Sequence, residues 1–464
     1  MDLLARLARI APTATATTLL AAGVGLVAVT TGGDRTLWAA GGLLRVDALS
    51  AYLLLVVGAV ALTATWGGLG PPREPHTEVR FSGLLVLFLG AMTLTLLADN
   101  LGVMWVGIEG TTIATAFLVG HHGGRAAVEA AWKYVVLGSV GIAIAFLGLV
   151  LLYAATAATG EPTLSWRTLM AHPDLIDPGL GRLALALAVL GLATKAGLAP
   201  MHSWLPDAHS QAPAQVSALM SGVLLSVAFY GILRLQAISD LALGPELMRV
   251  MLVGGGLLSL TVAAALMVAQ RDYKRLLAYS STEHMGILAI GAGIGGPLAL
   301  AAVLLHMLGH GLAKSTLFVV AGRILADRGS TRIDHVQGLL ADRPALAWPF
   351  LAGMGTLLGF PPGALFFTEV AILFAGWQQG LGWVSLTTAG LLVVIFAVLA
   401  RHTLVMTLGG GTRAAKGPRA VAEAGRWAAT LPLAAALVAA SAVGFAPAVQ
   451  PVLESALTAL AGVR

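Results

Sequence analysis

His306, His310 and Lys314 stand at positions i, i+4 and i+8 of one apolar stretch. On an α-helix that spacing stacks three titratable side chains on one face, in steps of about 6 Å. Imidazole titrates near neutral pH, and a desolvated ammonium can give up its proton. The trio therefore suits a ladder for proton transfer, with one or two waters between groups. Hydrogen bonding between helices is a plainer reading. Metal or haem ligation is a third, but it needs a matching histidine pair on a second helix and no segment offers one. No metal ligand, cofactor ligand or catalytic residue is assigned on this basis. Three further carboxylates and a lysine lie in equally apolar surroundings: Glu109 in Val106-Gly107-Ile108-Glu109, Lys195 after Thr194, Glu283 beside His284, and Glu369 in Phe366-Phe367-Thr368-Glu369. An ionisable group inside such a segment needs a partner or a function. Glu109 and Lys195 fit a pair whose members alter each other's proton affinity as they meet and part; a static ion pair or hydrogen bond is the alternative. Glu283 with His284 is an extra relay step or an interface group. Lys133 stands four residues after Glu129, which suits a surface pair, yet it lies in an apolar run and stays a candidate. Asp207 and His209 read as caps of a short helical piece.

What must position these groups is a set of membrane helices. The chain is 58% apolar and only 11% charged, where a soluble domain has about 25% charged residues. Uncharged runs of about 18 residues or more recur along the length, and in lipid such runs are helices because the backbone must satisfy itself. About fourteen apolar segments are visible, near 11–31, 46–66, 81–98, 101–120, 128–157, 182–199, 213–236, 247–270, 276–293, 297–325, 345–360, 364–379, 384–408 and 428–449. There is no cysteine, which excludes disulfides, thiolate zinc sites and cysteine-ligated clusters. The net charge of +5 fits basic cytoplasmic loops better than nucleic-acid binding. Residues 11–31 read as a first membrane helix, not a cleaved leader. No phosphate-binding glycine loop or Ser-His-Asp arrangement is present.

The distribution of lysine and arginine reduces the count. If 345–379 is one span interrupted at Pro361-Pro362-Gly363, loop 409–427 joins the other basic loops on the cytoplasmic side. Pro200 and Pro213 mark a second broken span at 182–210. The expected fold is an all-α polytopic membrane protein of about 13 spans. It forms a single membrane domain over residues 1–464, with two inverted five-helix repeats at 81–236 and 247–408, each containing a broken helix, and flanking helices in 1–66 and 428–464. Broken helices at membrane depth line protein or wet cavities and mark transport proteins.

Several stretches resemble a known family: WVGIE (105–109), EAAWKY (129–134), TKAGLAPMHSWLPDAHSQAPAQVSA (194–218), QRDYKRLLAYSSTEHMG (270–286) and HMLGHGLAKSTLF (306–318). They are similar to the antiporter-like subunits shared by respiratory complex I, Mrp-type sodium/proton antiporters and membrane-bound hydrogenases, with the hydrogenase-4 component F type as the nearest branch. The resemblance implies a proton-translocating subunit of a redox-driven complex. Glu109 and Lys195 would be its input pair, Lys314 with His306 and His310 its central relay, and Glu369 the carboxylate of the second broken helix. It implies no cofactor in this chain, nickel–iron and iron–sulfur centres on partner subunits, other membrane subunits and a peripheral redox arm as partners, and a multi-pass location in the cell inner membrane. Ser221 stands where some relatives have histidine. The chain also starts one helix late and lacks a long C-terminal lateral helix. A sodium/proton antiporter subunit and a non-conducting membrane scaffold remain the alternatives.

Overall fold

The computed structural model describes residues 3–32, 35–70, 73–157, 160, 162–410, 426–442, 447 and 449–462. Among these residues nineteen α-helices run in the order α1 (Leu3–Thr30), α2 (Ala48–Gly67), α3 (Pro75–Leu97), α4 (Leu101–Val119), α5 (Arg125–Ala157), α6 (Trp166–Ala171), α7 (Pro178–Lys195), α8 (Trp204–Gln211), α9 (Ala214–Leu219), α10 (Leu225–Leu243), α11 (Glu246–Val268), α12 (Tyr273–Ile294), α13 (Gly296–Arg328), α14 (Leu339–Asp342), α15 (Pro344–Leu357), α16 (Ala364–Gln378), α17 (Gly382–Leu408), α18 (Arg426–Ala442) and α19 (Val449–Ala461). A π-helical turn, Met220–Leu224, joins α9 to α10 into one rod from Ala214 to Leu243. Among the described residues, ten helices are long and apolar enough to span a membrane. The polar but buried α12, the α15–α16 pair and α18 raise this to the thirteen expected from sequence.

The lengths of α15 and α16 justify counting them together. Fourteen and fifteen residues reach only about 21–23 Å as helices, short of a hydrocarbon core of about 30 Å. The break between them occupies 358–363, and Ala364 already belongs to α16. In the first block the break runs from Ala196 to Ser203. Its amides find partners: Ala199 N donates to Ser259 Oγ at 2.9 Å, and Leu198 N to Ala193 O at 3.0 Å. A backbone buried away from water must be satisfied in this way.

Loop contacts sort the chain ends of the spans onto two faces. On one, Lys274 Nζ donates to Ser210 O and Ala212 O, Gln215 reaches Thr65 O, and Asp272 bridges to Arg332. On the other, the hairpin of β1 (Leu37–Ala39) and β2 (Leu44–Val46) bridges through Leu44 to Ala98, and Asn100 bridges to Ser165. α3 leaves the first face and α11 leaves the second, so five-helix blocks beginning at these two helices run in opposite senses. Each block has a third helix of 33 residues, α5 and α13. The Ala214–Leu243 rod is enclosed by protein, whereas α1 and α17 present most of their surface outward. α13 packs against α2, α9, α12, α15, α16 and α18, which makes it the axis of the second half.

One sequence expectation changes and another lies outside the described residues. The last apolar segment, expected at 428–449, ends as a described helix at Ala442, and a separate α19 follows. α19 was missed because its thirteen residues are too short to span and carry Glu454 and Gln450; its inner stripe, Leu453, Ala456 and Leu460, is buried. The basic loop 409–427, on which the parity argument leaned, lies almost wholly outside the described residues.

Candidate functional site

The structure gathers the candidate residues in two interior clusters. In the first block, Lys195 ends α7 and is 0% exposed. Its Nζ donates to Tyr134 OH at 2.6 Å and sits 4.5 Å from the centre of that ring. The Thr115 hydroxyl shares a 2.5 Å hydrogen bond with the same phenol. On the preceding turn of α4, Thr112 Oγ1 donates to Glu109 Oε2 at 3.1 Å. Glu109 and Lys195 thus belong to one polar cluster without touching, with threonines and a tyrosine between them. Trp204 of α8 stacks edge-on against Tyr134 and donates Nε1 to Thr194 O at 2.9 Å, closing the broken helix over the lysine.

In the second block, Lys314 is 0% exposed. Its Nζ donates to Leu277 O at 2.7 Å and to the Ser280 hydroxyl. Glu283 lies one turn beyond Ser280 on α12, buried, with Oε2 lacking a hydrogen-bond partner. Together with Glu369 it lines a cavity of about 220 Å³ walled otherwise by Leu357, Leu392, Ile395 and Phe396. His284 Nδ1 and His306 Nε2 are 3.1 Å apart, and His306 Nδ1 is 2.8 Å from Thr368 Oγ1. The His310 ring centre is 5.0 Å from that of His284 and 6.4 Å from that of His306, and neither of its nitrogens has a hydrogen-bond partner among the described residues. Gly359 forms the break beside Glu369. Its φ is +67°, and a Cβ there would sit 3.0 Å from Glu369 Oε2. The backbone therefore turns close around this carboxylate.

A hydroxyl bridge joins the halves. Ser221, in the π-helical turn, lies 2.7 Å from Ser281. Ser281 in turn donates to Leu277 O, the carbonyl that also accepts from Lys314. π-Turns inside helices are frequent at functional positions. Ser221 is thus a short polar contact reaching, through Ser281 and Leu277 O, the central lysine.

Lys133 is placed differently. Its side chain is 48% exposed and it bridges Glu129 at 2.7 Å and Asp207 at 3.1 Å, with Arg275 also on Asp207 at 3.0 Å. It stands at the rim of the first block, away from the buried row, and Asp207 joins that ion-pair network in place of a simple cap. His209, the other residue read as a cap, is buried and stacks on Phe318 at 4.8 Å. No matching histidine pair stands on a second helix among the described residues, but a single partner does. A second helix does offer a histidine, His284, and one ligand atom from each of His284, His306 and Glu369 lies within 4.8 Å of the others.

Sequence reasoning missed a buried charge cluster on the second face. Arg234 Nη2 donates to both oxygens of Asp47 at 2.7 Å. Arg45 stands 3.4 Å from Asp47 and 3.5 Å from Asp99, and the guanidiniums of Arg45 and Arg234 lie 4.1 and 4.4 Å from the centre of the Trp166 ring. Burial pushes the Asp47 carboxyl up, but Arg234 and Arg45 outweigh it and hold the group at about 2. Two cations and two anions cancel, so the cluster works as a clamp on the hairpin, α2, α6 and α10. Arg234, inside the apolar segment 213–236, was the available signal. Tyr134, Ser280 and Thr368 gave none, because hydroxyls are common in apolar helices.

Two interior clusters of titratable groups, each beside a broken helix, belong to a recognised class of membrane protein. Residues 98–396 match the family described as NADH:quinone oxidoreductase/Mrp antiporter, transmembrane, and the chain is a member of it. Among relatives, it is 37% identical over 338 residues to a hydrogenase-4 component F homolog of Methylacidiphilum infernorum, covering 72% of this chain and 70% of that one. It is 31% identical over 363 residues to NADH-quinone oxidoreductase subunit N of Desulforudis audaxviator, covering 76% and 70%. Its fold matches a chain of the Mrp complex from Dietzia sp. with a TM-score of 0.85 at 21% identity, over 99% of this chain and 93% of that one.

Proposed function

We propose that this chain is the proton-translocating membrane subunit of a redox-driven complex of the membrane-bound hydrogenase or complex I type, seated in the cell inner membrane. One observation carries the reading. Each half holds a fully buried lysine whose partners are neutral oxygens, Tyr134 OH for Lys195 and Leu277 O with Ser280 Oγ for Lys314. A static structural lysine would be matched by a carboxylate, because an unpaired buried charge costs several kcal/mol. Among the described residues neither lysine has such an ion pair. Lysines held this way can take and release a proton as charge arrives nearby. Glu109 would receive protons in the first half. Lys195, the Ser221–Ser281 bridge and Lys314 would carry the change across the middle. Glu283, the histidines and Glu369 would deliver protons at the second break. The electrons would move elsewhere, through nickel–iron or iron–sulfur centres of partner subunits and a peripheral arm.

Similarity to hydrogenase and quinone oxidoreductase subunits supports the coupling to redox chemistry. The test is the whole complex in proteoliposomes, driven by its electron donor, with lumenal pH and sodium followed together. Proton accumulation that persists without sodium supports the reading. Sodium uptake with opposing proton flow, and no pumping without sodium, would replace it with an antiporter.

A further inference from the structure

We propose that His284, His306 and Glu369 form a binding site for a divalent transition-metal ion of the zinc type, and that occupancy stops proton delivery through the second half. The second clause rests on the function proposed above; the site itself does not. The three donors come from α12, α13 and α16, and a ligand atom of each lies within 4.8 Å of the other two. The facing imidazole nitrogens are 3.1 Å apart, near the separation of about 3.3 Å between ligand atoms in a tetrahedral zinc sphere.

The hydrogen bonds already prepare one ligand. Thr368 Oγ1 donates to Leu365 O at 2.9 Å, so at 2.8 Å it can only accept from His306 Nδ1–H. His306 Nε2 then carries its lone pair and aims it at His284. A ligating histidine is typically held in this manner, its other N–H fixed on an oxygen. His284 Nε2 and both nitrogens of His310 are buried without a partner. One tautomer shift in His284 therefore frees Nδ1 for a metal and moves its proton to Nε2, with no net proton lost.

Charge and space also fit. Of the three ligands Glu369 lines the 220 Å³ cavity, together with Glu283, so the carboxylate end of the site borders open space. Two carboxylates and two neutral imidazoles balance a dication, so the filled site has no net charge to bury. Two nitrogens and a carboxylate oxygen select zinc, copper or nickel over magnesium and calcium. A bound ion would hold the His306 lone pair and the Glu369 carboxylate together, removing both from proton exchange.

The experiment uses the purified complex, stripped with a chelator and equilibrated with cobalt(II) as a spectroscopic stand-in for zinc. Bound metal is counted against the resident metals of the complex. Wild type should bind one additional cobalt with the absorption of a four-coordinate site. His284→Gln and His306→Gln should each lose it, and Thr368→Val, which keeps all three ligands, should weaken it by about 10–100-fold. No additional cobalt in wild type, or undiminished binding in both histidine variants of the assembled complex, would overturn the proposal. Zinc should also slow proton uptake in wild type, reversibly with chelator. Binding without that inhibition would overturn the second clause. Proton uptake without added metal tests the relay separately, so the two readings fail independently.

Discussion

Tyr134 is the residue that most changes the picture of the first half. Glu109 and Lys195 are not in contact; the phenol takes the lysine's hydrogen bond at 2.6 Å and a threonine's at 2.5 Å. Tyr134→Phe keeps the ring that packs on Trp204 and removes only the oxygen. It leaves a buried ammonium short of a partner, a loss of about 1–3 kcal/mol. The subunit should still assemble, while redox-driven proton uptake falls at least about tenfold, since about 1.4 kcal/mol suffices for that. Uptake at the wild-type rate in a fully assembled Tyr134→Phe complex would take the phenol out of the path. Lys133 differs: it is half exposed and already paired with Glu129 and Asp207.

At the scale of elements, the two halves depend on a close crossing. A Cβ added at Gly311 would come 2.7 Å from Gly222 O, and one at Gly222 would come 3.0 Å from Gly311 O. These glycines press α13 against the π-helical turn that carries Ser221. Gly311→Leu should force the rods apart, costing about 1–3 kcal/mol or more, and lower the amount of assembled subunit in membranes by quantitative blotting. An unchanged level would mean the crossing yields easily. Helix positions and the two breaks were legible in the sequence because apolar runs and prolines are local signals, and His306, His310 and Lys314 could be named as ionisable groups inside one apolar helix. The His284–His306 contact and the Lys195–Tyr134 bond were not, since each joins helices whose relative rotation no single segment encodes. α19 was hidden for a different reason: thirteen residues with a polar face resemble a tail.

For the whole molecule, charge appears in two settings with different consequences. In the cluster of Asp47, Arg45, Asp99 and Arg234, every cation meets a carboxylate, and the Arg234–Asp47 contact is a pair of 2.7 Å bonds. Arg234→Met should strand Asp47 against one remaining arginine and destabilise the fold by about 3–5 kcal/mol. The expected readout is loss of the subunit from membranes; normal assembly with failed pumping would contradict a clamp. Along the central row the lysines meet neutral oxygens, and there substitution should spare assembly and remove transport. Lys314 decides between these settings most directly, because it is fully buried, central to the second half, and replaceable by Met at similar length and bulk. With the whole complex in proteoliposomes, Lys314→Met should abolish lumenal proton accumulation while the subunit remains assembled; accumulation and coupled turnover at wild-type levels would contradict the proton path and leave the chain a scaffold.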